Sequence, residues 1–209
     1  MSNIGDPKLS VPQPIENPNL IHARMNKHLN SGLFTINPDL EKAKKAAFQL
    51  LGRRAYTRKE IRDKLYKRGF RKAVVEETLS TLQRIRAIDD RDFAARFVEE
   101  RLRLRPAGQL VLRRDLARRG VDADLIEETL AKVFGDLNVE AVAFRLLSAR
   151  RSRYLQLDRN KAMNRMYSFL ARRGFSPDVV GSVTARAWDC IEKGIENWEE
   201  ESDPRHYPD

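Results

Sequence analysis

The feature that most constrains this chain is a segment that recurs three times. Ile61-Arg-Asp-Lys-Leu65-Tyr-Lys67-Arg68-Gly69-Phe70 is followed by Leu112-Arg-Arg-Asp-Leu116-Ala-Arg118-Arg119-Gly120-Val121, then by Met166-Tyr-Ser-Phe-Leu170-Ala-Arg172-Arg173-Gly174-Phe175. Each copy has an apolar residue, a second one a helical turn later, a basic doublet and a glycine. Each continues in phase, with Val75, Leu79 and Leu82, then Ile126, Leu130 and Val133, then Val180, Thr184 and Ala187. Gly69 and Gly120 lie 51 residues apart, Gly120 and Gly174 lie 54 apart. A period of this size marks one repeated supersecondary unit.

The local physics of the unit follows from its residues. Apolar residues one turn apart make a stripe along one face of a helix. The glycine falls where a helix C-terminus takes a left-handed residue, and the bases before it complement the negative end of the helix dipole. A second stripe predicts a second helix, begun in the third copy by Ser176 and Pro177. Upstream of each pair lies a further apolar pattern: Ala43 to Arg53 with Ala47, Phe48 and Leu51; Phe93, Ala94, Phe97 and Val98; Ala143, Phe144 and Leu147. Thr57 and Glu60 read as a capping box that starts the second helix of the first copy. The expected fold is therefore all-α, with three tandem three-helix-bundle repeats at residues 39–88, 89–136 and 137–194. Each unit alone buries little apolar surface, so neighbours are expected to stack. The third has a longer first connection, and its Thr184 and Ala187 are smaller than their counterparts. Residues 1–38, rich in Pro, Asn and Ser, read as a flexible leader, and residues 195–209 as a frayed acidic tail.

Charge is distributed along the chain as unevenly as sequence pattern. The net charge is +10. Residues 1–39 carry three bases and three acids, and residues 188–209 carry two bases against eight acids, which leaves +16 on residues 40–187. A body this basic attracts polyanions, either nucleic acid or an acidic protein surface. The plain alternative is a well-solvated basic surface. Cys190 is the only cysteine, so neither an intramolecular disulfide nor a cysteine metal site is expected. No apolar run has signal-peptide or membrane-spanning length, which makes the cytoplasm the default compartment and a membrane partner unexpected.

Catalysis finds little support. His22, His28 and His206 lie in the leader and tail, so the body offers no histidine base for nucleophilic catalysis and no histidine metal site. The glycines are scattered singly, without a phosphate loop. Asp89-Asp90-Arg91-Asp92 stands at a helix start, where acids cap backbone N–H groups; capping is preferred over a Mg²⁺ cluster. No catalytic, cofactor or metal residue is expected.

The basic residues are the candidate binding set. Lys67-Arg68, Arg118-Arg119 and Arg172-Arg173 recur at one register position. Arg58 and Arg62, Arg101 and Arg105, and Arg113 and Arg114 gather nearby. Arg150, Arg151, Arg153, Arg159 and Lys161 surround the third unit's long connection. Stacked modules could align the doublets as a track for a repetitive acidic partner; otherwise they simply complement helix dipoles. Tyr56, Tyr66 and Tyr154 lie among the bases and read as packing residues in preference to stacking platforms.

The run Thr57-Arg-Lys-Glu60-Ile61, Leu65, Lys67-Arg68-Gly69-Phe70, Val75-Glu76-Glu77, Leu79, Leu82, leading into Ile88-Asp89-Asp90-Arg-Asp-Phe93-Ala94, resembles the RecX family, from about Ala43 to Ile191. The resemblance implies an elongated, curved body and no enzymatic activity. It also implies binding in the groove of the RecA–single-stranded DNA filament, with restraint of RecA ATPase, strand exchange and co-protease activity. The expected partners are thus the RecA filament and the single-stranded DNA within it, met by a monomer. A RecA-independent, sequence-nonspecific DNA binder and a helical scaffold for another acidic protein are the competing readings.

Overall fold

The computed structural model describes residues 37–196 and Trp198, and the histidines at 22, 28 and 206 lie outside them. Among the described residues there are nine α-helices and no strand. They are α1 (Pro38–Leu51), α2 (Arg58–Lys67), α3 (Lys72–Arg84), α4 (Asp90–Leu104), α5 (Gln109–Arg119), α6 (Ala123–Gly135), α7 (Val139–Ser148), α8 (Arg159–Arg172) and α9 (Pro177–Glu192). A short 3₁₀ turn, Arg151–Arg153, precedes α8. Two compact units are formed. One contains the described residues up to Ala55 with Lys64–Ala87, the other Tyr56–Asp63 with the described residues from Ile88 onward.

Each repeat closes its central helix in the same way. Gly69, Gly120 and Gly174 have φ of 85°, 80° and 82°. The next N–H returns to the carbonyl of the repeat leucine: Phe70 to Leu65 at 3.3 Å, Val121 to Leu116 at 3.2 Å, Phe175 to Leu170 at 3.3 Å. This six-residue closure occupies a carbonyl that the helix end would otherwise leave unpaired.

In the first unit α1 packs on α3, burying Ala43, Ala47, Leu50, Val75, Leu79 and Leu82. In the second unit, Phe93, Ala94, Val98, Leu112, Leu116, Ile126 and Leu130 make one core. Phe144, Leu147, Met166, Leu170, Val180, Val183 and Ala187 make another.

Two boundaries of the sequence reading move. Asn37 and Pro38, assigned to the leader, start α1: the Asn37 side chain accepts from the Asp39 N–H at 3.1 Å, and proline fits the first helical position. Trp198, assigned to the frayed tail, is buried in the third module's core. Its ring centroid lies 5.6 Å from that of Phe144, and its indole N–H donates to the Ile195 carbonyl at 3.0 Å. The left-handed Gly194 makes this return possible, with the Ile195 N–H bonded to the Cys190 carbonyl at 2.9 Å. An indole in the core accompanies the small Thr184 and Ala187, both buried on α9.

Within the second unit, the start of one central helix meets the end of the next. The Gly108 N–H donates to the Arg173 carbonyl at 2.9 Å and the Leu110 N–H to the Gly174 carbonyl at 3.2 Å. Thr57 precedes Leu65 by the interval that separates Gly108 from Leu116, and its hydroxyl donates to the Arg119 carbonyl at 2.7 Å. Thr57 also closes the capping box, since its N–H reaches Glu60 Oε2 at 3.3 Å and its Oγ1 accepts from the Glu60 N–H at 3.1 Å. Asp90 completes this joint by accepting the Arg58 N–H at 2.8 Å, while Asp89 caps α4 through the N–H groups of Arg91 and Asp92.

The approach of α5 to α8 leaves no room for a side chain at either glycine. A Cβ on Gly108 would stand 2.1 Å from the Gly174 carbonyl oxygen, and one on Gly174 would stand 2.5 Å from the Val111 nitrogen. At Gly69 no atom lies within 4 Å of that position. Gly69→Ala should therefore cost only the left-handed backbone penalty, about 1–2 kcal/mol. Gly174→Ala adds a backbone overlap and should cost at least twice as much, as urea unfolding of both variants would measure.

Asp90 generates a second expectation. Burial, the largest influence, outweighs the Arg58 N–H and guanidinium and holds its carboxyl above the ordinary aspartate value. A carboxyl raised on folding favours the folded state below its unfolded pKa and loses that contribution as pH rises through the folded value. Asp90→Asn keeps an acceptor for Arg58 without a buried charge. It should match or exceed the parent in thermal stability at pH 7, with the gap closing as pH falls. A deficit at pH 7 that widens upward would show that the charge itself holds α2.

Candidate nucleic-acid interface

The three doublets divide by position. Their second members serve the fold. Arg119 pairs with Glu60 at 2.9 Å and lies over Phe93 and Phe97, at 5.7 and 5.0 Å from the ring centroids. Arg173 donates to the Pro106 carbonyl at 3.0 Å and lies 5.3 Å from the Phe169 centroid. Arg68 reaches the Ala46 carbonyl at 3.4 Å. The first members, Lys67, Arg118 and Arg172, are exposed. Only Arg118 among these three has a carboxylate partner among the described residues, Asp115 at 3.3 Å.

The other sequence candidates separate in the same manner. Arg58 spends its backbone N–H on Asp90 and its guanidinium is half-buried. Arg62 is half-buried as well. Arg101 pairs with Asp115 at 3.4 Å, and Arg113 holds both oxygens of Glu127 at 2.6 and 2.7 Å. That bidentate contact pushes the Glu127 carboxyl below its usual range and Arg113 above its own. Arg105 and Arg114 are exposed.

A groove in the third module gathers Arg172 of the candidate set with Arg150 and Arg153 of the long connection and with Arg165, which the sequence analysis does not single out. The cavity, about 440 Å³, is lined by Arg150, Arg153, Tyr154, Asn164, Arg165, Ser168, Phe169 and Arg172. One wall is the face of α8 formed by Asn164, Arg165, Ser168, Phe169 and Arg172, which recur at helical spacing. The 3₁₀ turn and the residues flanking it supply the other. No lining residue is acidic, and none of the four arginines has a carboxylate partner among the described residues. Arg150 lies 4.4 Å from the Phe169 centroid and beside Tyr154, whose hydroxyl burial pushes above its ordinary pKa. Arg173 is held below the usual arginine value, first by burial and then by Arg150, Arg101 and Arg105. Like charges are thus concentrated around the groove, and of those named only Arg101 has a carboxylate partner among the described residues, Asp115.

Arg165 was recoverable from sequence, since it stands two helical turns before Arg172 on one face of a predicted helix. The 3₁₀ turn that brings Arg150 and Arg153 to that face carries no comparable periodic signal. Tyr154 and Tyr56 are buried packing residues, as read, while Tyr66 is 39% exposed. The Asp89–Asp92 run serves capping and pairing, with Asp92 joined to Arg96 at 2.9 Å and Arg91 to Glu128. Among the described residues no cluster of three His, Cys, Asp or Glu is placed to hold a metal, and Cys190 is buried. None of their helices is long and apolar enough to cross a membrane.

Because only the second members of the doublets pack into the fold, neutralising the two halves of each pair should have different consequences. Arg118→Gln with Arg172→Gln should leave the thermal midpoint unchanged. Arg119→Gln with Arg173→Gln removes charged hydrogen bonds and cation–π contacts at both joints and should cost about 1–3 kcal/mol. Parallel thermal melts of the two double variants check this.

The comparisons with known proteins agree with this architecture. The family models for the first, second and third three-helix domains of RecX match residues 43–82, 89–130 and 138–184. The regulatory protein RecX of Chlorobium phaeobacteroides (strain BS1) is 36% identical over 137 residues, covering 66% of this chain and 87% of that protein. That of Prosthecochloris aestuarii is 32% identical over 142 residues, covering 68% and 91%. In fold, the chain is similar to the crystal structure of RecX from Lactobacillus salivarius, with a TM-score of 0.66 at 22% identity, covering 73% of this chain and 98% of that one. Three successive domain matches, each falling on one three-helix module, establish that the chain belongs to the RecX family of regulatory proteins.

Proposed function

We propose that this protein, acting as a cytoplasmic monomer without enzymatic activity, binds the RecA–single-stranded DNA filament and restrains RecA ATPase, strand exchange and co-protease activity. Family membership supports the regulatory role. The observation that carries the filament reading is the repeat of one joint at Arg119 and Arg173, which leaves Arg118 and Arg172 exposed at equivalent positions. Cations repeated in register suit a partner whose acidic features repeat as well, and a filament of identical subunits is such a partner.

The unneutralised groove of the third module favours a second reading, a nucleic-acid binder indifferent to RecA. Dependence on RecA separates the two, and binding through phosphates alone should in addition weaken steeply as salt rises, because the release of counterions then gains less. The test adds the protein to RecA assembled on single-stranded DNA and follows ATP hydrolysis and strand exchange. Hydrolysis should fall to a minor fraction at stoichiometric protein, and Arg118→Gln with Arg172→Gln should restore part of it. Undiminished hydrolysis with tight binding to naked DNA would favour the second reading.

A further inference from the structure

The groove between the 3₁₀ turn and α8 is out of proportion to what the fold needs. Packing accounts for Arg150 and Arg173, which cover Phe169. It does not account for Arg153, Arg165 and Arg172, which are exposed, converge on one cavity and have no carboxylate partner among the described residues. Holding guanidinium groups together without a counterion costs free energy, and an anionic ligand would offset that cost. Several arginines elsewhere in the second unit are neutralised locally, Arg91 by Glu128, Arg113 by Glu127 and Arg119 by Glu60. The groove is built differently.

We propose that this groove binds consecutive phosphates of a single-stranded nucleic-acid backbone, with Arg153, Arg165 and Arg172 as the phosphate-contacting residues and Asn164 and Ser168 as neutral donors. Three features favour a strand over an acidic protein surface. Guanidinium forks suit phosphate oxygens, and amide and hydroxyl donors are common backbone ligands. The concave cavity admits a polymer bearing a charge at every unit. Beyond the cavity Arg173 lies near Arg105, which is exposed and has no carboxylate partner among the described residues, giving such a polymer a direction in which to extend. Recognition would be blind to sequence, because guanidinium groups already lie over Phe169, the aromatic ring in the groove wall on which a base would stack.

This assignment deepens the filament reading by naming what one groove touches, and it can fail separately from it. The full chain is titrated into a labelled oligothymidylate, without RecA, over a range of salt. Arg153→Gln, Arg165→Gln and Arg172→Gln are combined in one variant. A second variant carries Lys72→Gln, Arg84→Gln and Lys132→Gln, which remove equal charge at exposed positions outside the groove. The groove variant should bind roughly tenfold or more weakly, with a salt dependence shallower by about 2 in log–log slope, the release expected of three single-strand phosphate contacts. The control should bind nearly as the parent, and both should melt as the parent does. Equal losses in the two variants would overturn the assignment in favour of diffuse attraction. So would unaltered oligonucleotide binding by a groove variant that has lost its effect on RecA ATPase, since the groove would then meet the acidic protein surface. Failure of the parent chain to inhibit RecA, with groove-dependent oligonucleotide binding intact, would sink the filament reading and leave this site standing.

Discussion

A helix end is an unfinished hydrogen-bonding array, and the second unit rests on joining two such ends to each other. The first N–H groups of α5 and the last carbonyls of α8 lack partners within their own helices. Bringing Gly108 and Leu110 against Arg173 and Gly174 satisfies two groups of each set at once and places the positive end of one dipole beside the negative end of the other. The same acceptor position, at Arg119, is filled by the Thr57 hydroxyl. Two chemically different donors serve one geometric need, which is why the joint does not stand out as a sequence motif.

The joint explains residues that otherwise carry two meanings. A glycine after a basic doublet reads as a helix stop, and the left-handed φ at Gly69, Gly120 and Gly174 is that stop. At Gly174 the same residue also lets the neighbouring helix start approach within a distance that a methyl group would forbid. The doublet divides along the same line. Its second arginine turns toward the joint, over aromatic rings at Arg119 and Arg173, and its first remains in solvent. Adjacent helical residues point about a quarter-turn apart, so one pair readily serves packing and display together.

Fold class, repeat register and capping box were legible in the sequence because each depends on contacts within one or two helical turns. Leu65, Leu116 and Leu170 signal their helices through spacing alone. Asp90 was legible only as a helix-start acid; its hydrogen bond to the Arg58 N–H joins residues 32 apart in sequence and leaves no periodic trace. Trp198 was missed because the acidic composition around it reads as solvated chain, whereas one indole filling a core outweighs several charged neighbours that stay in water. The groove was half legible: its α8 wall follows helical spacing, and the turn that faces it does not.

The longer first connection of the third repeat has a structural use. Counted from the repeat leucine, α2 and α5 begin seven residues upstream, at Arg58 and Gln109, while α8 begins eleven upstream, at Arg159. The extra turn covers the position where Thr57 and Gly108 make their joints. Its equivalent, Ala162, has its N–H committed to the Asp158 carbonyl at 2.9 Å, so it has no donor for a further helix end. The repeat therefore terminates itself at α8. The 3₁₀ turn that belongs to this longer connection also helps to shape the arginine groove, whose second wall is Arg153 of the turn with its neighbours Arg150 and Tyr154. Ending a repeat series requires a departure from the repeat, and here that departure supplies a concave cationic surface that a perfect third copy would lack.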